Sequence, residues 1–222
     1  MENKTSKYFK YAIGEIILVV IGILIALSIN NWNEVRKESI EEQKILKAIQ
    51  AGFKFNKLEI NKNIDETTLT VLGTGNVLNA NLDTLTNEQS NKLVRKMTNF
   101  STFHPSDGAL NDLINSGHLN IIKNDSLKDK LSNWNSLVLD VTEDEIYMKQ
   151  FINDYILPIA LKNSSINKET KFKRKSLHLF NDPLFENIVL RLNKSATYQI
   201  SLYKHLELEI DAILKLLKKE IN

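Results

Sequence analysis

The segment from Lys7 to Glu34, KYFKYAIGEIILVVIGILIALSINNWNE, determines how the rest of the chain is interpreted. Residues 16–27 are all apolar, and only Glu15 and Ser28 interrupt the nineteen residues 11–29. An α-helix rises about 1.5 Å per residue, so this stretch would be roughly 29 Å long, close to the hydrocarbon thickness of a bilayer. The segment therefore predicts a transmembrane helix.

The flanks of this segment fit a membrane-spanning helix. Lysines precede it, and Tyr11 and Trp32 stand where aromatic side chains anchor a helix at the two interfaces. We therefore predict a basic cytoplasmic tail over 1–10, a transmembrane helix over 11–31 and a helical-bundle domain over 32–222. A cleaved secretory signal is the alternative, because a basic start, an apolar core and a small-x-small site are also present.

Small residues recur along one face of the predicted transmembrane helix. The positions spaced by four are Gly14, Leu18, Gly22 and Ala26, and Glu15 borders them. A small-xxx-small pair lets two helix backbones approach, whereas a carboxylate at this depth needs the interface, a proton or a partner. We expect a helix-packing face here, with Glu15 either reaching toward the interface or contacting another helix.

Three pieces of this region resemble a known family: YAIGEI at 11–16, VIGILIAL at 20–27 and NNWNE at 30–34. They are similar to the amino-terminal signature of an uncharacterised family of short membrane proteins from Bacteroidota, catalogued as a domain of unknown function. A looser resemblance covers Phe103, Pro105, Ser106, Leu113, Ser116, Gly117, Leu119, Ile122, Asn124, Leu127 and Leu131. The resemblance implies a membrane-anchored helical protein and carries no known activity or site.

Composition excludes several classes of function. The 29 basic and 27 acidic residues give a net charge of +2, so neither nucleic-acid binding nor attraction of acidic substrates is indicated. The absence of cysteine excludes disulfides, thiolate catalysis and cysteine zinc sites. Three prolines and seven glycines in 222 residues, with abundant Leu, Ile, Lys and Glu, are typical of an all-α protein.

No motif indicates a catalytic centre. The histidines are His104, His118, His178 and His205, and no two have a spacing that places metal ligands on one helix face. His104 with Ser106 and Asp107 invites a catalytic reading, but neighbours in sequence seldom form a triad. The acids of residues 142–145 fit a helix start better than a calcium loop. We predict no catalytic, metal or cofactor-binding residue and no enzymatic activity.

Periodicity and capping patterns predict a helical bundle after the membrane helix. A long helix is expected over about 34–72, with Phe53, Leu58 and Ile60 in its apolar stripe, and residues 73–76 should end it. Further helix starts are predicted at Thr86, Ser106, Asn124, Thr142 and Asp182, with ends near Asn99 and at Gly117.

Two segments of the second half have distinct patterns. The helix from Thr142 should direct Met148, Ile152, Tyr155 and Ile159 inward until Pro158 kinks or ends it, and residues 163–176 read as an exposed basic loop. The carboxyl-terminal helix, over about 195–221, carries a heptad seam of Tyr203, Leu206, Ile210, Ile213 and Leu217. We expect this seam to pack antiparallel on the long helix; a coiled coil with a second copy is the alternative.

These features point to two functions. Basic residues flank the span about equally, but long domains cross a membrane largely regardless of charge, so we expect a single-pass protein of the cytoplasmic (inner) membrane with a periplasmic carboxyl-terminal domain. We predict an interaction or scaffold protein of the cell envelope, whose partners are the lipid bilayer and either a homo-oligomer or another membrane protein, without nucleic acid. A periplasmic sensory or ligand-binding domain that acts through a partner is the alternative.

Overall fold

The chain folds into helices that pack around one long amino-terminal helix. A computed structural model describes residues 3–97, 100–163 and 176–221, and within those ranges the regular elements are all helical, as predicted. The helices are α1 (Asn3–Leu78), α2 (Asn87–Arg95), α3 (Gly108–Asn115), α4 (Asp125–Phe151), α5 (Leu157–Asn163) and α6 (Pro183–Glu220). Short 3₁₀ helices occupy His118–Ile121 and Leu177–Asn181, and a π-helical turn at Ile152–Ile156 joins α4 to α5.

Helix α1 is continuous from the apolar segment into the domain. It has 76 residues, which correspond to about 114 Å of helix. The prediction that residues 73–76 end it is wrong, since the helix continues to Leu78. One helix therefore carries both the apolar segment and a side of the domain core.

Two glycines of α1 serve close packing and do not break the helix. A Cβ at Gly73 would collide with the carbonyl oxygen of Lys96, and a Cβ at Gly52 would collide with that of Ser106. The backbone of the segment between α2 and α3 therefore lies directly on α1 at both glycines. Lys96 is distant from Gly73 in sequence. The neighbours of Gly73 alone therefore predict a helix end, which the packing against Lys96 does not bear out.

Helices α1 and α6 pair antiparallel. Gln43 donates to the carbonyl of Glu220 at 2.7 Å, Lys57 bridges Glu207 and Asp211 at 2.7 Å each, and Asn193 donates to Thr74 at 2.7 Å. Both helices bury a seam spaced by three and four residues. The seam of α1 is Leu46, Ile49, Phe53, Asn56, Ile60, Asn63, Thr67, Thr70, Thr74 and Val77; that of α6 is Phe185, Val189, Leu192, Ala196, Gln199, Tyr203, Leu206, Ile210, Ile213 and Leu217.

These seams confirm part of the predicted pattern and correct the rest. All five residues predicted for the carboxyl-terminal seam are buried, but their helix begins at Pro183 and not near residue 195, because Asp182 caps it by accepting from the Leu184 N–H. Leu58 is 69% exposed, contrary to prediction, and Asn56 takes its place in the seam.

Four of the five predicted helix starts are confirmed, and three of them have a side-chain cap. Thr86 forms a capping box with Gln89, Asn124 caps α4 and Asp182 caps α6, whereas Asp107 precedes α3 without a side-chain cap hydrogen bond. Gly117, the predicted end of α3, follows that helix with a φ of 72°. The predicted helix start at Thr142 is wrong. Its hydroxyl donates to the carbonyl of Val138 at 2.8 Å inside a continuous α4.

The π-helical turn changes which side chains point inward. Tyr155, predicted to be inward, is 50% exposed, and Ile156 is buried in its place. A π turn adds a residue to the helix, and it lies directly before Pro158, which lacks the N–H that a regular helix would need. Residues 164–175 of the predicted basic loop, and the predicted end of α2 at Asn99, lie outside the described residues.

Two hydrophobic clusters lie along the α1–α6 pair. The first, nearer the apolar segment, is centred on Trp134, whose ring is 4.6 Å from that of Phe53. The second lies near the far end and includes Met97, Met148 and Val189. Between the two clusters, both the α1 seam and the α6 seam contain buried polar residues.

Gly73→Ala and Gly75→Ala form a matched pair that tests the close packing on α1. We expect Gly73→Ala to lower the free energy of unfolding by about 1–3 kcal/mol, because the methyl group meets the Lys96 carbonyl. Gly75→Ala meets no atom within 4 Å and should stabilise the helix by up to about 1 kcal/mol. Denaturant unfolding of the full chain in detergent measures both; equal effects would contradict this packing.

Candidate functional site

The residues predicted to form a membrane helix-packing face lie on α1 and are free of the domain. Glu15, Leu18, Gly22 and Ala26 are exposed, and Gly14 is partly exposed. A Cβ built on Gly14 or Gly22 would meet no atom within 4 Å, so the described residues leave this face open. Its role as a packing face stays a prediction.

The two predicted interface anchors also lie on α1. Trp32 is exposed, and the guanidinium of Arg36 lies 5.9 Å from the centre of its ring. Tyr11 is within the helix, but its side chain lies outside the part of the chain that the structure describes.

A second group of polar residues is brought together inside the bundle, and we call it the central polar layer. It lies between the two hydrophobic clusters and joins three helices. Its members are Asn63 and Thr67 of α1, Asp144 and Glu145 of α4, and Gln199 and Tyr203 of α6. The antiparallel register set by Lys57 and Asn193 places Asn63 opposite Tyr203 and Thr67 opposite Gln199.

Glu145 is the best-connected member of this layer. Its side chain is 2% exposed, and its Oε1 accepts from the Tyr203 hydroxyl at 2.6 Å and from the Phe103 N–H at 2.8 Å. Tyr203 is itself fully buried. One carboxyl oxygen therefore ties α4 to α6 and to the segment that leads into α3.

The environment of the layer favours uncharged forms. Burial raises the pKa of Glu145, and the hydrogen bonds from Tyr203 and Phe103 oppose that rise only in part. Burial also raises the pKa of Asp144, against the attraction of Arg191. For Tyr203, burial and then the neighbouring Glu145 raise the pKa well above its usual value. All three groups therefore bind a proton more tightly here than in water.

Among the described residues, three buried oxygens of the layer have no hydrogen-bond partner. They are Asn63 Oδ1, Asp144 Oδ2 and Gln199 Oε1, whereas the amide of Gln199 lies within bonding reach of the Tyr203 hydroxyl. A buried polar atom without a partner costs about 1–3 kcal/mol, and such atoms are uncommon in folded proteins. The layer is therefore a costly feature, which is typical of functional sites.

Sequence reasoning missed this layer and assigned its acids to a helix start. Thr142 and Glu145 have the spacing of a capping box, which would leave Glu145 at the start of a helix, but α4 is continuous there and Glu145 is buried inside it. One signal was available in the sequence: Asn56, Asn63 and Thr70 recur at intervals of seven, in step with the apolar residues of α1. A polar residue that keeps the heptad phase marks a buried polar position.

The histidines and the remaining acids form no comparable cluster. Within the described ranges, no three His, Asp or Glu side chains lie close enough together to hold a metal ion. His104 Nε2 is 2.8 Å from the Thr102 hydroxyl, and His118 and His205 are exposed.

A cleft of about 370 Å³ lies at the far end of the domain, between the end of α1 and α2. It is lined by Asn76, Ala80, Asn81, Thr84, Leu85, Gln89, Lys92, Leu93 and Lys96. Its lining combines three apolar residues, Ala80, Leu85 and Leu93, with two lysines, and no sequence motif predicted it.

Comparison with known proteins identifies the family. Residues 15–154 match the model of a family of unknown function (DUF6090), and the chain belongs to that family. This confirms the predicted membership of an uncharacterised family. The matched region includes all of residues 16–27 and Glu145, whereas Gln199 and Tyr203 lie beyond it. No curated protein and no solved structure matches the chain.

Tyr203→Phe tests the hydrogen bond at the centre of the layer. It removes the hydroxyl that donates to Glu145 and leaves a buried carboxyl short of a donor. We expect the free energy of unfolding near neutral pH to fall by about 1–3 kcal/mol.

Tyr198→Phe on the same helix is the matched control, because Tyr198 is 58% exposed. Its effect should stay within about 0.5 kcal/mol in the same denaturant titration of the full chain. Indistinguishable stabilities of the two variants would show that the bond contributes little.

Proposed function

We propose that this member of the DUF6090 family is a single-pass, membrane-anchored interaction protein of the cell envelope, with α1 as both its anchor and a structural helix of its domain. The supporting observation is the solvent exposure of residues 16–27. They are all exposed although all are apolar, and no part of the described domain covers them. An apolar surface of this extent requires lipid or a partner.

The continuity of α1 sets the distance between the anchor and the domain. The first buried apolar residue is Leu46, nineteen residues beyond Leu27, which corresponds to about 28 Å of helix. The end of the domain that faces the anchor is closed by polar contacts: Lys123 N–H donates to Glu42 at 3.1 Å, and Asn124 donates to Glu220 at 2.7 Å. Because this end of the domain is polar and exposed helix separates it from residues 16–27, the domain can lie in water next to a bilayer.

We place the protein in the cytoplasmic membrane with its carboxyl-terminal domain in the periplasm, because long domains cross a membrane largely regardless of the charges that flank the span. Its partners in this proposal are the bilayer and either a second copy or another membrane protein, and neither nucleic acid nor catalysis is involved. The open face of Gly14, Gly22 and Ala26 supports a contact within the membrane, since no side chain of residues 100–163 or 176–221 reaches it.

A second candidate function is ligand sensing through a partner. The cleft beside Lys92 and Lys96 favours it, because it is concave, partly apolar and offers two cationic groups. A thermal-shift screen of the full chain in detergent separates the candidates. A shift produced by one class of small anionic molecule and lost in Lys92→Ala/Lys96→Ala would favour sensing.

Charging the apolar segment tests the anchor. Ile21→Lys with Leu24→Lys places two ammonium groups near the middle of the proposed span, each costing about 2.5–3.5 kcal/mol on insertion. We expect the wild type to remain in carbonate-washed membranes and this variant to appear in the soluble fraction.

Ile40→Lys is the control, since Ile40 is exposed on α1 but lies beyond the span. It should remain in the membrane fraction like the wild type. Recovery of the wild-type chain in the soluble fraction, or a mature form that begins near Ile29, would overturn the anchor.

Enlarging the small residues tests the contact within the membrane. Gly22→Leu with Ala26→Leu should reduce cross-linking in membranes several-fold, because the added side chains hold two backbones apart. Val20→Leu with Leu24→Ile alters the opposite side of the helix and should leave cross-linking unchanged. Oligomers that form equally well in both variants would remove this face from the proposal.

A further inference from the structure

The central polar layer has more hydrogen-bond acceptors than donors. Among the described residues its unpaired acceptors are Asn63 Oδ1, Asp144 Oδ2 and Gln199 Oε1, whereas the Gln199 amide reaches Tyr203. The side-chain nitrogen of Asn63 donates to the Glu59 carbonyl at 2.9 Å, and this bond fixes the orientation of the Asn63 amide. The free atom of Asn63 is therefore the oxygen, and the layer lacks hydrogens.

The packing restricts what could supply those hydrogens. Gln199 and Asn63 are fully buried, and solvent does not reach any of the three unpaired oxygens. A void that held a water molecule would leave accessible surface on the atoms around it. A proton needs no such space, and on a carboxyl group it converts an acceptor into a donor.

Burial favours a bound proton at this layer, whereas the nearby charges of Arg191 and His104 oppose it in part. Helix α4 presents Asp144, Glu145 and Tyr147, helix α6 presents Tyr203 and Arg191, and the segment before α3 presents His104. From α1, the buried side chains at this level, Asn63 and Thr67, are uncharged. Arg191 is exposed and donates to the Tyr147 hydroxyl at 2.8 Å, and no ion pair to Glu145 occurs among the described residues.

We propose that the central polar layer is a proton-binding site, in which Glu145 takes up the proton and Asp144 is the second carboxyl of the site. The site makes the domain sensitive to the pH of its compartment. Glu145 lies on α4 and bonds to Tyr203 of α6, the helix that pairs with α1, so proton uptake reaches α1 through α6. The proposal concerns the domain alone and holds whether or not α1 spans a membrane.

The direction of the pKa shifts determines how the stability of the domain depends on pH. Burial raises the pKa of Glu145 in the folded state above its usual value of 4.5, and that of Asp144 above 3.8. Folding therefore favours the protonated carboxyls. The stabilisation from the site is complete below the ordinary carboxyl values and is lost as the pH rises through the raised ones.

Denaturant unfolding of the full chain in detergent, measured from about pH 4.5 to pH 8, tests the proposal. One proton released on unfolding makes the unfolding equilibrium constant rise by up to about tenfold per pH unit across the window set by the shift. We expect Glu145→Gln, which mimics the protonated form, to lower this slope and to leave only the smaller part that comes from Asp144. Glu143→Gln changes an exposed carboxyl on the same helix and should keep the wild-type slope.

A second measurement does not depend on any variant folding. The infrared spectrum of the wild-type chain, with carboxyl groups labelled by ¹³C, should retain a protonated carboxylic-acid band at a pH where exposed carboxyls are ionised. Loss of every such band at the pH of ordinary carboxyls, or equal slopes for Glu145→Gln and Glu143→Gln, overturns the proposal.

Discussion

The antiparallel pairing of α1 with α6 is the constraint on which the rest of the structure depends. Each helix contributes a ten-residue seam with heptad spacing, and α4 packs into the groove that the pair creates. The shorter helices α2 and α3 have too few residues to be stable alone, and they are held by contacts with this frame. Burial of the two seams is therefore the main source of stability for the domain.

The polar residues within the seams determine register at some expense of stability. An apolar heptad seam can slip by one repeat with little change in buried area, so apolar contacts alone define register weakly. Thr74 of the α1 seam accepts from Asn193 of α6 at 2.7 Å, a bond that exists in one register of the pair. Asn56 accepts from the Ser106 N–H at 2.6 Å and so fixes α1 against the segment before α3. The unpaired Asn56 Nδ2 and Trp134 Nε1 are part of the cost.

Local patterns in the sequence predicted the elements whose cause is local. The seam of α6 was predictable over 203–217 because every seam position there is apolar or aromatic, and the caps at Thr86 and Asn124 depend on neighbours within three residues. The seam of α1 was only partly predictable, since half of its positions are Asn or Thr. Gly73 and Glu145 were misread because their roles depend on Lys96, Phe103 and Tyr203, which are distant in sequence. A local reading has no access to such contacts.

The structure joins its two unusual regions through a single helix. Residues 16–27 expose apolar surface at one end of α1, and Asn63 and Thr67 bury polar surface farther along it. No break separates them, because α1 contains no proline and its glycines either serve close packing or are tolerated within the helix. Any two states of the polar layer that differ in how α1 packs against α6 must therefore differ in the tilt or rotation of the apolar segment. Coupling of this kind requires only that the two states bind a ligand or a partner with different affinity.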